Sequence, residues 1–379
     1  MPNGNPGLDS WTLTSGEAVV SSHEEHRDPN RWYGRGVADN KGQHLVVLDG
    51  LAAVLATRPT GQLGFNAKIL IEMGEEAGSP GIHELVRSQH AALSADLFLA
   101  SDGPRLLEDR PTLYMGSRGA TNFELSVRFR EGGNHSGNFG GLLRNPAIYL
   151  CHALATLTGP NGEIKVPEWR HPALTPELKA SLADCTVDVG VNGPQIDEQC
   201  GEPGLTPAER VFGWNSFEIL GLDCSAIPPA NAIPGTATAY CQLRYIVGSE
   251  VDKFRSGVEE FLRRQGFPEI EFEQRETAGW NATRMLPDNP WVRWAAESVQ
   301  RTTGTEPGLL PNLGGSLPND AFSEILGLPT IWVPHSYPAC QQHAANEHSL
   351  KSILREGLAI MAGLFWDFGE EALPLHGHV

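Results

Sequence analysis

Five side chains able to hold a metal or move a proton share one kind of position in the chain. Glu75 and Glu76 follow the apolar run "AKILIEMG", Asp102 follows "ADLFLAS", and Asp39 lies in the Gly-rich turn "GRGVADNKG". His343 lies in the loop after "LPTIWVP". The three apolar runs read as buried strands. In open α/β sheets, ligands bind in the crevice beyond the carboxyl ends of the strands, so these groups are expected to converge there. Converging carboxylates repel one another and stay ionised in a dry crevice only when cations neutralise them. Carboxylates together with an imidazole suit Zn²⁺ and related divalent ions. A hydrolytic site also needs a base that does not bind the metal, and two adjacent acids in a turn allow that division. Singly, an acidic pair, an Asp-Gly and a loop histidine are more often solvated turns. Their shared place after strands of one sheet is what points to metal chemistry.

The elements that must position these groups are legible by period. "KGQHLVVLDGLAAVLAT" has helical spacing, with Val47, Leu48, Leu51, Val54 and Leu55 as its apolar face. "SPGIHELVRSQ" predicts a helix with Ser79 as N-cap and Pro80 at its first position. From Gly116 the texture changes: "TNFELSVRF" alternates strictly, as does "TATAYCQLRYIV". With the helical stretches "NPAIYLCHALATL" and "SEVDKFRSGVEEFLRRQ", the latter opened by Ser249, and the strand "EIEFE", they predict a small two-layer α+β unit. The α/β texture resumes at "NPWVRWAAESVQRTTG" and ends in the helix "SLKSILREGLAIMAGLFWDF". The expected fold is α/β, with a mixed, mostly parallel sheet in a domain formed by residues 1–116 and 276–379. An α+β, ferredoxin-like domain is inserted at 117–275. Residues 159–213 read as an irregular insertion.

Composition narrows the partners. The 379 residues suffice for two cores, and a formal net charge of −18 disfavours nucleic acid and anionic membranes. No apolar run approaches the roughly 18 residues of a membrane span. The six scattered cysteines fit reduced thiols, and a cytoplasmic location is expected.

Six motifs in order, "GRGVADNKG", "EMGEEAGSPG", "SDG", "NHSGNFGGLLRNP", "GGSLP" and "HAANE", resemble the dinuclear metallo-exopeptidase family of carnosinases, aminoacylases, glutamate carboxypeptidases and succinyl-diaminopimelate desuccinylase. The resemblance implies two divalent ions per subunit, zinc first, with manganese or cobalt as alternatives. It makes Asp39 the bridging ligand, with a cis peptide to Asn40; Glu76 and His343 complete one metal and Asp102 serves the other. Glu75 is then the general base, taking a proton from a water acidified by the metals and passing it to the leaving amine. His135 in "NHSGNFGG" is expected to enter the partner's site in a homodimer whose contact is the inserted domain. Asn231 and Arg244 are expected to hold the substrate's carboxylate, and Gly315 and Ser316 belong to a substrate-contacting turn. Arg244 falls on the polar face of its strand, and its guanidinium fork suits a carboxylate.

The family's early H-x-D-x-x-P motif is not found, since "MPNGNPGLDSW" aligns with its tail; the missing histidine and aspartate are expected just upstream of Met1. His23 and His26 are weak substitutes, and the terminal "HGHV" reads as a tail rather than a metal site. The leading expectation is a metal-dependent hydrolase of an amide or peptide bond next to a free carboxylate, acting on a small peptide or an N-acyl amino acid. The "SDG" aspartate and the long insertion lean toward the dipeptidase branch. The competing readings are an impaired or non-catalytic metal- or peptide-binding homologue, against which Glu75 argues, and a phosphohydrolase, against which the lack of a basic cradle argues.

Overall fold

The computed structural model describes residues 28–190, 194–224, 231–275, 279–370 and 373–374. The expectations for Met1–Trp11, His23, His26 and the terminal "HGHV" lie outside these residues. In chain order the elements are β1 (Arg31–Tyr33), α1 (Lys41–Thr57), α2 (Ile82–Ser88), α3 (His90–Leu93), β2 (Phe98–Ala100), β3 (Thr112–Tyr114) and β4 (Gly119–Arg128). Next come β5 (Asn134–His135), α4 (Ser136–Phe139), α5 (Pro146–Leu157), α6 (Pro176–Leu182), α7 (Pro207–Gly213), β6 (Ser216–Asp223), β7 (Ala232–Ile233) and β8 (Thr236–Tyr245). Then follow α8 (Phe254–Arg264), β9 (Glu271–Gln274), α9 (Pro290–Thr303), β10 (Gly308–Leu310), β11 (Thr330–Trp332), β12 (His348–Leu350) and α10 (Lys351–Glu370).

One sheet runs β10-β3-β11-β2 and is mixed: β10 with β3 and β11 with β2 are parallel, while β3 meets β11 antiparallel at Tyr114 and Trp332. Helices α1, α9 and α10 bury Val46, Val54, Trp294, Val299, Met361 and Leu364 against Leu113 and Ile331 of this sheet. The contact of α1 with α10 is close enough that a Cβ on Gly50 would lie 2.8 Å from that of Met361. A second core cluster joins Tyr114, Leu310 and Trp332 to α6 and α7 through Leu178, Leu182 and Phe212. The second sheet, β6-β8-β4-β9, is antiparallel and carries α5 and α8. Residues 123, 125 and 127 of β4 are buried there and their neighbours half-buried, the period-2 pattern of a strand with one covered face.

Four local expectations change. The run "AKILIEMG" forms no strand: Ile69, Ile71 and Met73 are 61%, 54% and 81% exposed and join no ladder among the described residues. Ser79 does not cap a helix; it takes φ +47°, and α2 begins at Ile82 after Gly81. The covered stripe of α1 is Gln43, Val46, Gly50 and Val54, turned from the expected apolar face, with Leu55 exposed. The segment read as irregular contains α6 and α7, each started by a Thr cap and Pro at N1; Thr206 and Glu209 form a full capping box.

Candidate metal centre and catalytic cavity

Asp39 is presented by the turn between β1 and α1. Gln43, fully buried in the first turn of α1, donates to the carbonyl of Ala38 at 2.7 Å, and its Oε1 accepts the N–H of His335 at 2.7 Å. These bonds tie the turn to the end of β11. The Asp39–Asn40 peptide is cis. Asn40 donates to the carbonyl of Ser101 at 3.3 Å, linking the turn to the residue after β2.

Glu75 and Glu76 sit on a single 3₁₀ turn, Glu75–Ala77, and point to different places. Glu76 meets Arg35 Nη2 at 2.5 Å and His343 Nε2 at 3.1 Å. Glu75 lines a cavity of about 400 Å³ together with Asp39, Asp102 and His343. The His343 imidazole reaches Asp39 at 2.6 Å from a loop in which Gln341, His343 and Asn346 all have φ near +60°. Left-handed backbone at three non-glycine residues is costly, and such strain gathers at functional loops. Ligand atoms of Asp39, Glu76 and His343 lie within 4.8 Å of one another. Two carboxylates and an imidazole at that spacing fit one divalent cation.

The electrostatics fit it as well. Burial, then repulsion from Asp102, Glu76 and Asp39, pushes the Glu75 carboxyl up to about 8. Burial, then Asp39, pushes Asp102 up to about 7. Asp39 is raised by burial and Glu76, against the pull of His343 and Arg35. Burial and mutual repulsion thus favour the protonated forms of Glu75 and Asp102, and a cation among them favours the ionised forms.

The other expected site residues fall into two groups. Gly315 lines the same cavity, and neighbouring Ser316 accepts a hydrogen bond from Arg244 Nη1 at 3.0 Å, so the guanidinium reaches the turn that carries both. His135 ends β5 and pairs with Ala232 of β7, and Asn231 immediately precedes β7, where Ser136 Oγ donates to Asn231 Oδ1 at 3.0 Å. Neither lines the cavity of its own subunit. Sequence reasoning missed Arg35, Glu347 and the apolar wall of the cavity. Glu347 is 3% exposed and sits inside the quoted "HAANE", next to the residues that drew notice. Arg35 likewise sits in "GRGVADNKG".

With this geometry in view, comparison with known proteins is decisive at the level of family. The sequence profile of peptidase family M20/M25/M40 matches residues 9–367. The chain belongs to peptidase family M20/M25/M40. This M20 chain is 26% identical over 356 residues to the human Beta-Ala-His dipeptidase, covering 89% of itself and 68% of that protein. It is 30% identical over 362 residues to the Cys-Gly metallodipeptidase DUG1 of Saccharomyces cerevisiae, covering 89% and 72%. Its fold is that of the M20 metallo-carboxypeptidase Sso-CP2 of Sulfolobus solfataricus, with a TM-score of 0.75, 22% identity and coverage of 91% and 79%. The M20 chain is therefore a metal-dependent hydrolase of peptide-type bonds. No helix among its described residues is long and apolar enough to cross a membrane.

Proposed function

We propose that this enzyme cleaves the amide bond of a dipeptide or N-acyl amino acid next to a free carboxylate, with two divalent ions, zinc in the first instance. The observation that carries the reading is the meeting of Asp39, Glu76 and His343 within 4.8 Å, with Glu75 and Asp102 facing the adjoining cavity. Asp39, Glu76 and His343 would hold an ion between them, and Asp102 and Asp39 would serve a second. Bound there, the ions supply Lewis-acid polarisation of the scissile carbonyl and acidify water. Glu75 is the residue of the acid pair that faces the cavity, which suits it to take a proton from the attacking water and return it to the leaving amine. Arg244, aligned by Ser316, receives the substrate's carboxylate through its fork of donors, with Gly315 shaping the backbone beside it.

The inserted domain, residues 117–275, makes the contact of a homodimer, and the catalytic domain comprises 1–116 and 276–379. His135 and Asn231 act in the partner's site, a reading supported by their place together at a ribbon away from their own cavity. The dipeptidase branch is favoured over the acyl-amino-acid branch because the two proteins compared above by sequence, from human and from Saccharomyces cerevisiae, are dipeptidases. We place the enzyme in the cytoplasm. The test is hydrolysis of a panel of dipeptides and N-acyl amino acids before and after chelation, with metal per subunit counted by elemental analysis. Activity that is lost with chelator and restored by zinc or manganese is expected. Failure of every dipeptide and every acyl amino acid in metal-loaded enzyme overturns the reading.

A further inference from the structure

The cavity that receives Glu75 and Asp102 has a second wall that the hydrolytic chemistry does not use. Leu106, Val187, Val211, Phe212, Leu313 and Leu317 line it. Leu106, Phe212 and Leu317 are buried members of the core cluster joining α6 and α7 to the first sheet, and Val187, Val211 and Leu313 pack partly buried against that cluster. The wall is therefore held rigid by the core behind it. It is assembled from four stretches of chain: the segment after Asp102, residues 186–188, residues 211–212 at α7, and the turn 313–317. Gly314 admits the approach of α7 to that turn, since a Cβ there would lie 2.6 Å from Val211 Cγ1.

Two charged groups also line the cavity beside the wall. Asp188 accepts the N–H of Gly190 at 2.8 Å. Arg105 turns its guanidinium to Glu356 at 2.5 Å and toward the carbonyl of Pro334, while its Nη2 is buried without a hydrogen-bond partner. The lining thus joins the acids Asp39, Glu75 and Asp102 to a largely apolar wall. A volume of about 400 Å³ lies within the range of small-molecule sites, roughly 300–1,000 Å³.

We propose that this wall is the specificity pocket for one side chain of the substrate, so that the enzyme selects a branched aliphatic or aromatic residue beside the scissile bond. The inference rests on the hydrolase reading above. A basic side chain is drawn to Asp39, Glu75 and Asp102 rather than to the wall, and an acidic one meets their repulsion. An aliphatic side chain leaves water at a gain that grows with each buried methylene.

The test compares kcat/KM of metal-loaded enzyme for Gly-Gly, Leu-Gly, Gly-Leu, Asp-Gly and Gly-Asp, in the wild type and in Val211→Asp. Dissociation constants for the same peptides are measured by calorimetry on Glu75→Gln. Leucine at one of the two positions is expected to raise kcat/KM over glycine by about thirtyfold, and aspartate at that position to lower it. In Val211→Asp the leucine-to-glycine ratio is expected to fall toward one. Val187→Asp, on a segment outside helix and strand, gives the same comparison where Val211→Asp does not fold. A ratio near one at both positions in the wild type, or a ratio unmoved in a folded variant, overturns the pocket. If wild-type enzyme cleaves none of these peptides the hydrolase reading has failed separately; the dissociation constants then decide the pocket, and equal values for leucine and glycine peptides overturn it.

Discussion

Glu347 Oε1 accepts the backbone N–H of Asp39 at 3.0 Å, and the N–H groups of Gly36 and Ala38 at the same distance. Its other oxygen takes Arg35 Nη1 at 3.1 Å, and that same nitrogen donates to the carbonyl of Asp39 at 2.6 Å. A single buried carboxylate late in the sequence thus shapes the early turn that presents Asp39. Such outer partners orient ligands as surely as the ligands hold the ion.

Replacing Glu347 with alanine is expected to strand three backbone donors in a buried place and to loosen Asp39. Stability should fall by about 1–3 kcal/mol, and metal affinity by roughly ten- to a hundredfold. Urea unfolding and a metal titration measure the two. Unchanged values of both contradict a positioning role for Glu347.

Arg35 gives Glu76 a cationic partner at 2.5 Å in metal-free protein. Arg35→Met removes that countercharge beside Asp39, Glu76 and Glu347, and divalent ions replace part of it. The loss of stability is expected to be larger in chelator than in saturating zinc, seen as a larger drop of melting temperature. Equal drops in the two conditions contradict this account of Arg35.

The contribution of Glu75 and Asp102 to the stability of metal-free protein is expected to fall as pH rises from about 4 to about 8. The fall is clearest above about 6.5, below which the buried His335 imidazole, pushed down to about 3, works in the opposite sense. Glu75 and Asp102 are raised to about 8 and about 7 in the fold, against roughly 4 for unfolded carboxyls. In that window the folded state binds more protons than the unfolded one, so their contribution is fully present below about 4 and is lost as the groups ionise. Bound metal favours the ionised acids and should flatten or reverse the slope. Denaturant midpoints at pH 6.5 and 8, with chelator and with zinc, check it; a flat profile in chelator contradicts the crowding of these acids.

Arg244→Lys is expected to raise KM for a carboxylate-bearing substrate about tenfold or more while changing kcat less. Lysine keeps the charge but loses the planar fork. An unchanged KM removes Arg244 as the carboxylate's partner.

The acids were legible because their position after apolar runs is itself a spatial statement: Asp102 does follow β2, and His343 does lie beyond β11. The alternation of "TNFELSVRF" was legible for a similar reason, since one covered face imposes period 2 within a single strand. What escaped is non-local. Arg35 and Glu347 are 312 positions apart, and nothing in either neighbourhood announces the other. The apolar cavity wall draws on four separate stretches and has no period. The run around Ile69 and Ile71 shows the opposite error: apolarity signals readiness to be buried, but a strand exists only where a neighbour pairs with it, and none does among the described residues.

In the proposed reaction Glu75 moves the proton while Asp39, Glu76 and His343 hold the metal. The most direct measurement is turnover and metal content of Glu75→Gln beside wild-type enzyme, on the best substrate of the panel. Metal content should be unchanged, and kcat should fall by about a hundred- to ten-thousandfold. Undiminished hydrolysis with the metal retained would contradict Glu75 as the base.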